Sequence, residues 1–133
     1  MRTAAQAQGD DAESLVAADL ARRGWSIVAR NLRAGRGELD LVAVDPGPPR
    51  MLVIVEVRWR RSRAFGLAEE SLDYRKRAHL RAAIARLLTD GLPAATGLPS
   101  SASLPIRVDL VVLEPASRQG DPPRLRHHRA IAL

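Results

Sequence analysis

The nine residues Met51–Trp59 constrain the fold more than any other part of this sequence, because they are its most aliphatic segment and yet contain Glu56. A short run of β-branched residues behind a proline-rich turn is typical of a strand that is covered on both faces. A carboxylate inside such a strand is costly unless a cation or a metal ion neutralises it. The two-residue period of a strand places Glu56 on the same face as Arg58, with the flanking valines on the opposite face.

Turn-forming residues divide the N-terminal half of the chain into short elements. Residues 25–30 and 38–44 are predicted to form two strands, and the proline- and glycine-rich residues 45–49 are predicted to form a turn before the aliphatic strand. Tight connections cannot link parallel neighbours, so we expect the three strands to form an antiparallel meander.

A single domain is expected, because 133 residues fit one ordinary domain. We assign this domain to residues 10–133 and expect residues 1–9 to form a flexible tail. Asp10 followed by Glu13 resembles a capping box, which predicts a helix that starts at Asp10 and is stopped by Gly24.

A second helical pattern extends from about residue 67 or 71 to residue 89. Its buried face is predicted at Leu72, His79 or Leu80, Ala83, Leu87 and Leu88. A fourth strand is predicted at residues 106–113, with room for a short final strand after it. A helix of this length permits a right-handed crossover, which would make the third and fourth strands parallel. The predicted class is therefore α/β, a mixed sheet with the order helix, strand, strand, strand, helix, strand.

Asp40 is a second acid placed among apolar residues, on the strand that precedes Glu56. The period of two puts Asp40 on one face with Glu38, and Leu39 and Leu41 on the other. Asp40 and Glu56 are expected to be cross-strand neighbours, near enough to share a hard cation such as Mg²⁺ through oxygen ligands. The alternative is a buried ion-pair network of acids and arginine that holds the strands in register.

Arginine supplies almost all of the positive charge, with 20 arginines, one lysine (Lys76) and a net charge of +6. The first 57 residues hold seven basic and eight acidic side chains, whereas the rest hold fourteen and seven. A basic half favours a polyanionic partner, nucleic acid first, and a merely solvated surface is the alternative. The candidates for nucleic-acid contact are Arg36, Arg60, Arg61, Arg63, Arg75 and Arg77.

Composition excludes or disfavours other classes of protein. The chain has no cysteine, which rules out disulfides and thiolate metal sites. Its longest purely aliphatic run, residues 51–55, is far too short to span a membrane, and its N-terminus has no apolar stretch for a signal peptide. We therefore expect a cytoplasmic protein without a membrane partner.

Two further polar features receive structural interpretations. Asp109, an acid in the apolar fourth strand, is expected to pair with Arg107 or Arg30 rather than to bind a metal ion. The three histidines lack the spacing of a zinc site and are expected to be solvated or to face DNA.

Two segments together carry a resemblance to a known family. Residues 37–43 (GELDLVA) and 53–58 (VIVEVR) resemble the GEIDLIA and FVEVK signature of the PD-(D/E)xK nuclease superfamily. More closely, the chain resembles the small bacterial YraN family, itself similar to archaeal Holliday-junction resolvases. Further matching positions are Glu13, Arg30-Asn31, Phe65-Gly66, Lys76 and the strand from Arg107 to Val111.

The resemblance implies a restriction-endonuclease-like fold and a metal-dependent endonuclease site that uses Mg²⁺ or Mn²⁺. Asp40 and Glu56 would be the metal ligands, completed by the Val57 carbonyl and by Glu13 through water. The implied partner is DNA, branched or single-stranded. Related resolvases act as dimers, so a homodimer is implied as well, although the sequence identifies no interface.

One position departs from the family pattern, since Arg58 replaces the motif lysine. An arginine stays protonated and cannot act as a base, although it can still stabilise charge. The catalytic residues implied are Asp40, Glu56 and Arg58, with Lys76 on the following helix as an alternative source of the ammonium. Two alternatives stay open: a catalytically weak or inactive nucleic-acid-binding module on the same fold, and a non-catalytic structural or adaptor protein.

Overall fold

Two helices flank a five-stranded mixed sheet in the computed structural model, which describes residues 4–60, 72–91 and 104–133. In chain order the elements are α1 (Ala4–Arg22), β1 (Ser26–Ala34), β2 (Gly37–Asp45), β3 (Met51–Trp59), α2 (Tyr74–Asp90), β4 (Ile106–Glu114) and β5 (Arg124–His128). The predicted α/β class and element order are confirmed, and the short final strand is β5. Neither helix is long and apolar enough to cross a membrane over the residues described.

The sheet has the spatial order β1-β2-β3-β4-β5, so the aliphatic strand β3 is central. The pairs β1–β2, β2–β3 and β4–β5 are antiparallel, as a meander requires. β3 and β4 are parallel, with α2 in the connection between them, as the crossover argument predicts. This position explains the composition of β3, because a central strand with a helix on each face needs apolar side chains on both sides.

Each face of the sheet is covered by one helix. On the first face, α1 packs Val16 and Leu20 against alternate residues of the central strands, among them Leu41, Val53 and Val55. On the second face, α2 buries Leu80, Ala83 and Leu87 against Leu39, Ile54 and Val108. The predicted buried face of α2 is confirmed at Leu80, Ala83 and Leu87, whereas His79 and Leu88 are exposed; Leu72 is buried too but lies before the helix.

The starts of both helices differ from the prediction. The prediction that the first helix starts at Asp10 is wrong, because α1 already begins at Ala4. Alanine and glutamine, which fill residues 4–8, are good helix formers, so the helix continues into the expected tail. Helix α2 begins at Tyr74, where the Asp73 side chain accepts a hydrogen bond of 2.9 Å from the Lys76 backbone N–H. The expected starts at residues 67 and 71 lie outside the described residues.

Candidate active site

Asp40 and Glu56 lie where strands β2 and β3 stop pairing. Backbone pairing between the two strands ends at Leu41 and Val55. One residue further, Asp40 Oδ2 accepts a hydrogen bond of 2.9 Å from the Val57 backbone N–H. The carboxylate thus takes the place of a backbone carbonyl at the end of the ladder, which satisfies the N–H while the two strands separate.

The strand changes its pleat at Asp40. Leu39 packs in the α2 layer, whereas Leu41 packs in the α1 layer, so the prediction that these leucines share a face is wrong. The neighbouring strand contains the cause, because Asn31, which the register places opposite Asp40, has a left-handed φ of 50°. Asparagine tolerates this conformation better than most residues. Asp40 is half-buried as a result, and Glu38 is exposed.

Glu56 is a buried carboxylate with an incomplete set of partners. Its side chain is 3% exposed. Its Oε1 lies 3.1 Å from Lys76 Nζ and 3.6 Å from Arg58 Nη2. Its other oxygen, Oε2, is buried without a hydrogen-bond partner in the described residues. Burial, followed by the negative charge of Asp40, raises the pKa of Glu56 to about 7 against the opposing effect of Lys76 and Arg58. The two cations therefore do not compensate fully for burial and for the neighbouring acid.

Helix α1 brings Glu13 into the same electrostatic environment. Glu13 is buried, and its Oε2 also has no hydrogen-bond partner among the described residues. Burial and then the charge of Asp40 raise the pKa of Glu13, while a hydrogen bond from the Asn31 side chain lowers it. The helix is tied to β1 at this end, since Arg30 Nη2 donates a hydrogen bond of 2.9 Å to Ser14 Oγ.

An open pocket of about 370 Å³ lies beside these carboxylates, between the start of β2 and helix α2. Asp40, Lys76 and Arg36 are among the residues that line it. The two elements are close here, because a Cβ on Gly37 would lie 3.3 Å from the Ala83 Cβ. Lys76 is half-buried and spans the distance from the pocket to Glu56. The arrangement therefore offers carboxylate oxygens, an ammonium and a guanidinium to a group that enters from solvent.

The predicted nucleic-acid contacts fall into three groups. Arg36, Arg75 and Arg77 are exposed, the first at the pocket and the other two on α2. Arg60 is buried at 6% exposure with Nη1 3.8 Å from Glu114 Oε2, so it does not present its guanidinium to a ligand, and the prediction for this residue is wrong. Arg61 and Arg63 lie outside the described residues, as does the Phe65-Gly66 motif.

The structure describes neighbouring acids at the predicted metal site but no complete set of metal ligands. Within residues 4–60, 72–91 and 104–133, no group of three or more His, Asp or Glu side chains is arranged to hold a metal ion. Asp40 and Glu56 are nonetheless close enough for the charge of Asp40 to raise the pKa of Glu56. The partnerless oxygens of Glu13 and Glu56 are also hard donors of the kind that Mg²⁺ binds.

A second polar network, centred on Asp109 of β4, was only partly visible in the sequence. Asp109 pairs with Arg107 at 2.8 Å, as expected, but also accepts a hydrogen bond of 2.8 Å from His127 Nε2. Arg107 continues to Asp45 at 2.9 Å. His127 is mostly buried, so the expectation that the histidines are solvated or face DNA is wrong for this one. An acid in an apolar strand signals a cationic partner, but it does not identify a histidine on the next strand.

Comparisons with known proteins agree on one family. The sequence model described as uncharacterised protein family UPF0102 matches residues 12–113. A UPF0102 protein of Roseiflexus castenholzii is 45% identical over 105 residues, which cover 79% of this chain and 77% of that protein. UPF0102 proteins of Xanthomonas campestris and Pseudomonas aeruginosa are 40% and 38% identical over 94% and 93% of this chain, and over 90% of each relative. The resemblance to the YraN family is thereby confirmed, and the chain belongs to the UPF0102 (YraN) family.

Proposed function

We propose that this protein binds branched or single-stranded DNA and hydrolyses its phosphodiester bonds with Mg²⁺ or Mn²⁺. The observation that carries the proposal is the convergence of Asp40, Glu56 and Lys76 where β2 and β3 separate, beside an open pocket. A buried acid with an unpartnered oxygen in the described residues, beside a half-buried one, suits a hard cation, and an ammonium next to them suits a phosphate.

Asp40 and Glu56 would hold the cation, with the Val57 carbonyl as a further ligand and Glu13 acting through water. When bound, Mg²⁺ supplies neutralisation of charge at the attacked phosphate and makes water more acidic. The protein's own contribution is to fix the acids before a substrate arrives. The Val57 N–H orients Asp40, and the burial of Glu56 on β3 keeps its carboxyl group away from bulk water.

Lys76 is the better placed of the two cations to meet a phosphate. Both lie near Glu56 Oε1, but Lys76 lines the open pocket, whereas the Arg58 Nε is buried without a hydrogen-bond partner in the described residues. An ammonium can approach a phosphate oxygen as a point charge, while a guanidinium requires a planar, bidentate geometry. We therefore assign charge stabilisation at the phosphate to Lys76, with Arg58 as a positioning residue for Glu56.

DNA binding rests on the exposed arginines around this site. Arg36 lines the pocket, and Arg75, Arg77 and Arg81 are exposed on α2 next to Lys76. Contacts of this kind release counterions from the nucleic acid, so the binding constant should fall steeply with salt concentration.

A second candidate function is a DNA-binding protein on the same fold that does not cleave. Two observations favour it: Arg58 stands in the place of the family lysine, and the pKa of Glu56 is about 7. A carboxyl group with such a raised pKa binds a cation more weakly near neutral pH, because the proton competes with the metal ion.

Cleavage assays with labelled flap, Holliday-junction and single-stranded DNA in Mn²⁺ test the two candidates. We expect the wild type to cleave at least one substrate. Asp40→Ala, Glu56→Ala and Lys76→Met should each lose on the order of 10²-fold or more in rate while DNA binding persists. Asp90→Asn, which removes an exposed acid from the same helix as Lys76, is the matched control and should cleave like the wild type.

A second readout is independent of cleavage. Mn²⁺ should raise the thermal unfolding temperature of the wild type and of Asp90→Asn, but not that of Glu56→Ala. If Asp40→Ala cleaves as fast as the wild type, the assigned site is wrong. If the wild type binds DNA without cleaving and Arg58→Lys gains activity, the non-cleaving candidate is correct. An absence of any salt-dependent DNA binding would contradict both and leave the structural or adaptor alternative.

A further inference from the structure

A second pocket lies at the end of the sheet away from Glu56. This Trp25 pocket, of about 450 Å³, is lined by Arg23, Trp25, Asp45, Arg107, Arg129 and the proline-rich residues 46–49. Asp45 pairs with Met51, five residues before Glu56 on β3, so Asp45 and Glu56 are separated by roughly 17 Å along the strand. Trp25 packs on the face of the sheet that α1 covers, whereas the pocket of the candidate active site is lined by Lys76 of α2. The two pockets are therefore distinct.

The carboxylates of Asp45, which lines the Trp25 pocket, and of Asp109 share the guanidinium of Arg107. Arg107 bonds Asp109 through Nε and Nη2 at 2.8 and 2.9 Å, and its Nη2 also bonds Asp45 Oδ2 at 2.9 Å. The second oxygen of Asp45 accepts a hydrogen bond from the Gly47 N–H. Burial acts to raise the pKa of Asp45, but these hydrogen bonds outweigh it and lower the pKa. Both carboxylates are therefore hydrogen-bonded within the protein, and the Arg107 guanidinium offsets one of their two negative charges.

The exposed groups of the pocket are cationic. The guanidinium carbons of Arg23 and Arg129 lie 5.6 and 5.8 Å from the centre of the Trp25 ring. The Arg129 side chain is 56% exposed, and its ion pair to Asp45 is 3.8 Å long, which exceeds hydrogen-bond distance. A guanidinium held over an aromatic ring keeps its N–H edge available for a ligand.

Arg23 is held in place by His127. Arginine can only donate, so the hydrogen bond of 2.8 Å between Arg23 Nη2 and His127 Nδ1 makes this nitrogen the acceptor. The Nε2–H of His127 then donates to Asp109. Arg23 is further paired with Asp19 at 3.2 Å on the surface of α1. Its guanidinium is therefore oriented at the pocket before any ligand binds, which reduces the entropy lost on binding.

We propose that the Trp25 pocket binds a phosphate group through Arg23 and Arg129. Guanidinium forks match the geometry of phosphate oxygens, and the charged residues that line the pocket are three arginines (Arg23, Arg107 and Arg129) against one acid, Asp45. We assign this phosphate to the DNA backbone, and this assignment rests on the proposed function. The pocket would then anchor a part of the DNA that does not reach the candidate active site.

Fluorescence of Trp25 tests the pocket itself. In a Trp59→Phe background, which leaves Trp25 as the single tryptophan, inorganic phosphate and a short thymidine oligonucleotide are titrated separately. Each should change the Trp25 emission in a saturable manner, and Arg129→Ala should weaken both responses on the order of tenfold. Arg22→Ala is the matched control, because Arg22 is exposed and neighbours Arg23 without lining the pocket.

Binding and cleavage of the Holliday-junction and flap substrates separate this inference from the proposed function. Arg129→Ala should reduce the slope of log affinity against log salt by about 1. Arg129→Lys should keep most of the slope. If neither phosphate nor oligonucleotide changes Trp25 emission and Arg129→Ala binds DNA like the wild type, the inference is wrong while the proposed function stands. A response to inorganic phosphate alone would identify free phosphate as the ligand and overturn the DNA assignment of the pocket.

Discussion

Glu56 places an ionisable group in the middle of the most aliphatic strand of the sheet. One oxygen approaches Lys76, and the other lacks a hydrogen-bond partner in the described residues. Its pKa is raised from 4.5 to about 7, so the folded state binds this proton more tightly than the unfolded chain does. The free energy of unfolding therefore loses a contribution as the pH rises from about 4.5 through 7, and the loss is complete above that range.

Glu56→Gln should remove this pH-dependent penalty. The variant is expected to be more stable than the wild type at pH 8 by up to about 3 kcal/mol, since each pKa unit corresponds to about 1.4 kcal/mol. The difference should shrink toward zero at pH 5, where the wild-type carboxyl is mostly protonated. Urea unfolding between pH 5 and 8 without divalent cations measures it. Asp90→Asn is the control, and a stability difference that stays flat across this range would contradict the assignment of the pKa to Glu56.

At the level of elements, the start of α2 decides where Lys76 lies. Asp73 ends the extended approach to the helix and accepts a hydrogen bond from the Lys76 N–H, which puts Lys76 in the first helical turn. Because Gly37 has no side chain, Ala83 of this helix can pack close to β2. The ammonium of the candidate site is thus positioned by a cap and a glycine, neither of which touches a ligand.

Asp73→Ala should destabilise the protein by about 1 kcal/mol, the usual cost of losing a side-chain cap at a helix N-terminus. Asp73→Ser, which retains an acceptor oxygen, should recover most of the loss. Urea unfolding at pH 7 measures both variants. Asp90→Ala at the other end of α2 removes only an exposed ion pair to Arg86 and is expected to cost less than about 0.5 kcal/mol. Equal losses for Asp73→Ala and Asp90→Ala would show that the cap contributes nothing specific.

The elements show which parts of the fold can be predicted from sequence. The bounds of β3 follow from its composition, because both faces of a central strand are apolar and a proline-rich turn precedes it. The early start of α1 was missed, because an acidic pair three residues apart looks like a cap even inside a longer helix. The change of pleat at Asp40 could not be predicted from its own strand, since its cause is the left-handed Asn31 on β1.

At the scale of the whole molecule, the Asp109 network links distant parts of the chain. Through Arg107 and His127 it joins β2, β4 and β5, and Asp109 Oδ1 also accepts a hydrogen bond of 3.0 Å from the Ala130 N–H. Burial alone would raise the pKa of Asp109, but the hydrogen bonds from His127, Arg107 and Ala130 lower it to about 2. The stabilisation is therefore present above pH 3.8 and is lost as the pH falls toward 2.

Asp109→Asn should be strongly destabilising at pH 7, by about 3 kcal/mol, because it removes the carboxylate charge that the mostly buried Arg107 and His127 share, while Arg107 keeps its bond to Asp45. At pH 2.5 the loss should be smaller, since part of the wild-type stabilisation has already gone. Urea unfolding at the two pH values measures this difference. Asp121→Asn, at an exposed position of the β4–β5 connection, should leave stability within about 0.5 kcal/mol of the wild type. The same loss at both pH values would contradict the network.

The candidate site was more predictable than its surroundings. Asp40 and Glu56 stand out because carboxylates are costly in apolar strands, and this physical cost is visible in a single sequence. Arg60 was misassigned, because a basic side chain after a strand looks the same in sequence whether it faces solvent or pairs with an acid such as Glu114. His127 has no such signal, since its partners Arg23 and Asp109 are distant along the chain.

The Asp40 side chain has two roles. It accepts a hydrogen bond from the Val57 N–H, which holds the ends of β2 and β3 together, and it contributes negative charge to the site. An alanine at this position would remove both at once, so a change in cleavage could arise from a shifted strand as readily as from a missing acid. Asparagine keeps an oxygen that can accept from the Val57 N–H and loses only the charge. Comparing the two substitutions would therefore separate the architecture of the sheet edge from its reactivity.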